Sequence, residues 1–218
     1  MQSADQIWAS IKASLFEKGC LNEVQLRSGA SEGELVELEA QLGVPLPDLL
    51  RQLLKIHDGQ DGARFLFGSQ MLSATEILRK WQGWREIEAD GMNEHCAEFM
   101  ASSPGGVVKP MYTNARWIPL THDGGGNHMG LDFDPDIGGA EGQMIAFGAD
   151  EDTKHLLAST FAEFAEKAVA WIRHARWDGE NLESPTDDGF APPAILRTAG
   201  GAQSEAPLCR AVRRLGSG

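Results

Sequence analysis

Apolar positions recur along this chain with two different periods, and the change from one to the other divides the sequence. Near the start, Ile7, Trp8, Ile11 and Leu15 fall three or four residues apart, which gathers them on one face of a helix, and Gly19 is placed to end it. Ser31 and Glu34 form a capping box, in which each side chain can satisfy an orphan backbone N–H of the other residue. Leu35, Leu38 and Leu42 follow at helical spacing up to the stop at Gly43. Pro45 and Pro47 bracket a third start, and Leu49, Leu50, Leu53, Leu54 and Ile56 carry it to Asp58 and Gly59. The N-terminal third therefore reads as three short helices, with a surface loop after the first.

Beyond residue 60 the period shortens. Residues 64–67 (RFLF), bounded by Gly62 and Gly68, read as a short strand. A second capping box, Ser73 with Glu76, opens a helix marked by Ile77, Leu78, Trp81 and Trp84. It continues, with a break near Gly91, towards Phe99, and SSPGG at 102–106 interrupts the chain. Residues 116–121 (RWIPLT), 128–133 (HMGLDF) and 143–147 (QMIAF) then read as strands joined by glycine-rich turns, with residues 155–158 adding another. Connections this short favour antiparallel pairing, because a parallel return needs a dozen or more residues. Pro119 lacks a backbone donor, which places its strand at an edge or a bulge. Thr160 and Glu163 open a last helix that presents Phe161, Phe164, Ala168, Trp171 and Ile172 on one face. The expectation is an α+β fold, with helices packed on a mainly antiparallel sheet.

Composition narrows the function classes. With 218 residues, 42% of them hydrophobic, the chain can bury one sizeable core. That core is expected within residues 1–177. Residues 178–218 are rich in Gly, Pro, Ser and Ala without periodicity and read as a disordered tail. No apolar run approaches the length of a membrane span, and the opening MQSADQIWAS lacks the pattern of a signal peptide, so a soluble cytoplasmic protein is expected. The net charge of −13 repels nucleic-acid phosphate and anionic lipid. It suits a basic protein partner, whose association it would steer. Cys20, Cys96 and Cys209 form no CxxC pair and read as reduced thiols.

Four blocks, in this order and spacing, resemble the SUKH superfamily: residues 42–62 (LGVPLPDLLRQLLKIHDGQDG), 116–135 (RWIPLTHDGGGNHMGLDFDP), 142–148 (GQMIAFG) and 155–172 (HLLASTFAEFAEKAVAWI). The resemblance covers about residues 5–175, with a helical insertion at about 73–108 that is longer than in the smallest members. It implies a twisted, mainly antiparallel sheet with flanking helices and a non-enzymatic role. Bacterial members neutralise a secreted toxin by binding it, and the yeast cell-wall regulator of the Smi/Knr type acts as a signalling scaffold.

The segment from His122 to Asp136 could contradict a binding role. His122, Asp123, His128 and Asp132 combine imidazoles with carboxylates, the donor set of a metal-dependent enzyme, but without a ligand spacing such as HExxH. Asp132, Asp134 and Asp136 alternate like the opening of a calcium loop, yet Ile137 stands where that loop needs glycine and Gln143 where it needs a bidentate acid. Gly124, Gly125 and Gly126 precede a strand rather than a helix, which argues for a hairpin turn over a phosphate cradle. His57 beside Asp58 reads as a helix C-cap rather than a general base. Trp81 and Trp84, three apart near Lys80 and Arg85, are core residues or exposed anchors.

The leading expectation is an immunity protein without catalytic residues, metal or cofactor. Its acidic surface would bind a basic toxin domain encoded nearby, with contacts drawn from Trp81, Trp84, Asp123, Asn127, His128, Asp132, Asp134 and Asp136. A regulatory scaffold of the yeast type and a metal-dependent enzyme are the alternatives.

Overall fold

The computed structural model describes residues 2–184. Four helices come first: α1 (Ala4–Glu17), α2 (Leu21–Val24), α3 (Glu32–Leu42) and α4 (Asp48–Ile56). The short α2 stands where a loop was expected. Capping boxes start α1 (Ser3 with Gln6) and α3 (Ser31 with Glu34), and α3 ends at Gly43, whose φ of 69° only glycine adopts without steric cost.

The remaining elements are β1 (Gln70–Met71), α5 (Ala74–Ala89), α6 (Met92–Cys96) with a 3-10 turn after it, β2 (Ala101–Ser103), β3 (Trp117–Pro119), β4 (Thr121–His122), β5 (Asn127–Asp132), β6 (Gln143–Gly148), β7 (Thr153–Ala158), α7 (Phe161–His174), β8 (Arg176–Trp177) and β9 (Leu182–Glu183). The main sheet has five strands in the order β2-β7-β6-β5-β3. The β2–β7 pair is parallel and the other three pairs are antiparallel, so the fold is α+β around a mixed, mostly antiparallel sheet.

Three local expectations need correction. RFLF does not form a strand. Phe67 (φ 52°) and Gly68 (φ 74°) turn the chain there, while Phe65 and Phe67 are buried in the core, so the alternation reported burial and not pairing. RWIPLT splits into β3, at the edge of the main sheet as Pro119 requires, and β4, which pairs with β1. The segment around SSPGG supplies the edge strand β2.

The sheet is covered on both faces. Successive side chains of a strand point to opposite sides, and every residue of β6 is buried, which a strand packed on one face would not show. Met144 and Ala146 of β6, with Met129 and Leu131 of β5, join α1, α4 and α7 in the larger core. Ile145 and Phe147 join Trp84, Cys96, Met100, Val108, Tyr112 and Trp117 in a second cluster. The segment expected as an insertion thus forms a lid of its own over the second face.

Residues 178–184 also pack on the body of the protein. Leu182 is buried and its N–H donates to the Arg64 carbonyl (3.0 Å), and Trp171 Nε1 donates to Ser184 Oγ (3.3 Å). Residues 185–218, including Cys209 and most of the expected tail, lie outside the described residues. Cys20 is a buried free thiol. Cys96 is buried in the second cluster.

Candidate functional site

Helix α5 begins at the Ser73–Glu76 capping box and lays Lys80, Trp84 and Ile87 along one side, at the spacing that makes helical neighbours. Opposite stands the hairpin of β4 and β5, with His122 and His128. Between them lies a cleft of about 220 Å³, walled by Arg79, Lys80, Gly83, Trp84, Ile87 and, from the sheet side, His122, Gly126, His128 and Ala149.

The two imidazoles stack with centroids 5.2 Å apart and planes 23° from parallel. His128 Nδ1 lies 2.6 Å from the Thr121 carbonyl. A carbonyl only accepts, so this nitrogen carries the hydrogen. Trp84 meets the same ring edge-on at 5.9 Å, and Phe147 lies 5.5 Å away. Burial in this setting holds the His128 pKa down at about 4, so the ring is neutral at pH 7. His122 Nε2 accepts from Lys80 Nζ at 3.1 Å, which leaves the hydrogen on Nδ1. Among the described residues that buried atom has no hydrogen-bond partner, and the nearest carboxylate oxygen, Asp123 Oδ1, is 3.9 Å off. Burial and the Lys80 ammonium both lower the His122 pKa, and burial and Arg79 lower that of Lys80.

Asp123 is committed to the turn. Its Oδ1 accepts from the backbone N–H groups of Gly125 (2.7 Å), Gly126 (3.0 Å) and Asn127 (2.9 Å), and its Oδ2 accepts from Asn127 Nδ2 (2.7 Å). Burial opposes its ionisation, yet these donors together hold its pKa below the usual carboxylate value. Asn127 Oδ1 accepts from the Asp150 N–H (2.9 Å) and so ties this turn to the one after β6. The glycines shape a hairpin, as their spacing suggested.

Asp132 is fully buried. It accepts from Trp117 Nε1 (3.1 Å), Gln143 Nε2 (2.9 Å) and the Asp134 N–H (2.9 Å). Burial still pushes its pKa up. Gln143 Nε2 also donates to the Val107 carbonyl, Asp134 accepts from Lys109 Nζ and Asn114 Nδ2, and the Asp136 N–H donates to Val107. These acids fasten the segment before β3 to the sheet. Of the residues expected to touch a partner, Trp84, His128 and Asp132 are buried and offer little surface. Trp81 is half-buried, its Nε1 bound to the Ala115 carbonyl (2.8 Å), and Asp123, Asn127, Asp134 and Asp136 are half-buried in the contacts just described. Arg79, Lys80, Ile87 and Ala149 were missed. The signal near them was Lys80 beside the tryptophans, but no local pattern shows that a helix will face a hairpin some forty residues later.

His122, Asp123, His128 and Asp132 do not converge on one point: the first and third line the cleft, the second closes a turn, and the fourth is sealed under Trp117. Among the described residues no group of three or more His, Cys, Asp or Glu side chains could hold a metal ion. His57 does not pair with Asp58. Its Nδ1 meets the Arg27 carbonyl at 2.7 Å, whereas Asp58 accepts from the Ala74 N–H at 2.7 Å.

A model of the SMI1 / KNR4 family (SUKH-1) matches residues 29–167, which include the cleft and all five strands of the main sheet. The chain belongs to this family. Among its curated relatives are a glucan synthesis regulatory protein of Neurospora crassa, 30% identical over 70% of this chain and 35% of its own, and the cell wall biosynthesis/cell cycle regulator smi1 of Schizosaccharomyces pombe, 34% identical over 70% and 33%. The cell wall assembly regulator SMI1 of Saccharomyces cerevisiae is 28% identical over 76% of this chain and 39% of its own. The chain thus matches a little over a third of the length of these relatives. Their regulatory names, in eukaryotes, overturn the expectation of a toxin-neutralising immunity protein, and the basic toxin domain falls with it as partner. Among the described residues no helix is long and apolar enough to cross a membrane.

Proposed function

We propose that this domain is a regulatory, non-enzymatic protein-binding module of the kind that serves cell-wall synthesis. The observation that carries this reading is the similarity, across some 70% of the chain, to proteins named as regulators of glucan synthesis and cell-wall assembly. The geometry agrees with it. The carboxylates that could have done acid–base work are spent on hydrogen bonds that hold turns and strands, which leaves them poorly placed to move protons. The α5 cleft is the candidate contact region.

A chimera tests this reading. The matching segment of the budding yeast regulator is replaced by residues 1–184 of this chain, and wall glucan is measured in cells that lack the native gene. Restoration of wall glucan is expected. A chimera that accumulates to normal levels and restores nothing would show that the domain does not perform that regulatory work.

A further inference from the structure

We propose that the cleft between α5 and the β4–β5 hairpin binds a phosphoryl group carried on a serine or threonine of a partner polypeptide. The proposal rests on the protein-binding reading and names what that surface recognises.

Charge at the cleft runs against the grain of the molecule. In a chain of net charge −13, Arg79 and Lys80 stand side by side at the cleft. Neither has a carboxylate within ion-pair distance among the described residues, whereas Arg85, on the same helix, pairs with Glu88 at 2.9 Å. The nearby acids are committed elsewhere: Glu76 caps α5 and meets Arg27, and Asp123 holds its turn. Two adjacent cations with no ion pair among the described residues, one of them partly desolvated, form a site that an anion would stabilise.

Donor supply and shape at the cleft also suit a phosphoryl group. Lys80 spends one of its three N–H donors on His122, and Arg79 has five donors in a planar fork. A phosphomonoester brings a charge of about −1.5 to −2 and three acceptor oxygens, a closer match to two cations than a carboxylate offers. His122 lines the same cleft and accepts one Lys80 N–H at 3.1 Å, which ties the ammonium to the hairpin side. Trp84, Ile87 and Ala149 give the cleft an apolar wall against which the methylene or methyl of a phosphorylated side chain can rest. The cleft volume, about 220 Å³, admits such a group with its stem.

The test is titration of the purified chain with N-acetyl-O-phosphoserine amide, followed by amide chemical shifts in two-dimensional NMR. Saturable shifts at Gly83, Gly126 and Ala149 are expected, with N-acetylglutamate amide binding roughly tenfold more weakly or worse at equal ionic strength. Lys80→Met and Arg79→Gln should each weaken the phosphoserine probe by roughly tenfold, the cost of a charge-assisted hydrogen bond. Arg85→Gln should leave it unchanged. Both cleft substitutions lie on the helix surface, and unchanged spectra away from α5 would confirm that the fold is intact. Shifts that are absent, that fall outside the cleft, that survive in Lys80→Met, or that the glutamate probe reproduces with equal affinity would each overturn the proposal. Because the readout uses a small probe on the isolated chain, its failure would leave the outcome of the chimera to stand or fall on its own.

Discussion

The two faces of the main sheet are sealed by different chemistry. Toward α1, α4 and α7 the contact is apolar: Ile7, Leu15, Leu54, Phe67, Met129, Leu131, Met144 and Ile172 interlock with 7% exposure or less. Toward α5 and the segment after it, polar groups are buried among aromatics. Asp132, Gln143, His128 and Lys154 lie beside Trp84, Trp117, Tyr112 and Phe147. Lys154 is fully buried, with its Nζ bound to the Glu151 carbonyl and 5.8 Å from the centre of the Tyr112 ring. A greasy face tolerates small shifts of its side chains, because dispersion and burial are non-directional. A polar face does not, because each buried donor or acceptor needs its partner at bonding distance. The second face is therefore where position is specified, and the cleft lies at its edge.

Removal of the Asp132 carboxylate should separate the two faces most clearly. Asp132→Ala strands the Trp117 and Gln143 donors in the core and should cost about 2 to 6 kcal/mol in urea unfolding, about 1 to 3 kcal/mol for each stranded donor. Leu54→Ala, on the apolar face, should cost about 2 to 5 kcal/mol through lost burial and a residual cavity. The distinction lies in rescue: a nearby larger apolar residue can refill the Leu54 cavity, but no apolar substitution beside Asp132 should restore stability. Recovery of Asp132→Ala by such a substitution would erase the contrast.

A smaller effect is expected from pH. The folded-state pKa of His128, about 4, lies below the ordinary value of 6.5. In the window between them the unfolded chain binds a proton that the folded chain refuses. This contribution to stability is therefore complete above about pH 6.5 and is lost as pH falls towards 4. His128→Phe, an aromatic exchange beside Trp84 and Phe147, should flatten that limb of the stability profile relative to the parent. His122 and His155, also shifted down by burial, would retain the remainder. An unchanged acid limb would show that His128 does not resist protonation in the fold.

The smallest expected effect is at the helix starts. Ser31 and Ser73 cap α3 and α5 in the same way, but Ser31 is exposed and Ser73 is buried. Ser31→Ala should cost about 1 kcal/mol, and Ser73→Ala towards 2 kcal/mol. Thermal unfolding of the two variants measures the difference, and equal costs would mean that burial adds nothing to this cap.

How much was legible follows the same division. The leucine and tryptophan spacings of α1, α3, α4 and α7 and the capping boxes are local, so the elements of the apolar face could be read from neighbours in the chain. The hairpin at Asp123 to Asn127 was legible for the same reason. The lid was not: β2 pairs with a strand some fifty residues later, and the partners of Asp132 come from Trp117 and Gln143. The carboxylates in the glycine-rich segment were read as surface for a partner, yet Asp132 is among the most deeply buried groups in the protein.

By itself the sequence determined the α+β class, the starts of α3, α5 and α7, the hairpin and the family, because each depends on periodicity, capping chemistry or the order of motifs along the chain. Only the tertiary structure decided that the sheet has a second covered face, that Asp132 and His128 are internal, and that Arg79 and Lys80 share a cleft with two stacked histidines. Burial and charge proximity are properties of residues brought together across the fold. A spacing rule reaches only as far as the next turn of helix or the next pair of strands.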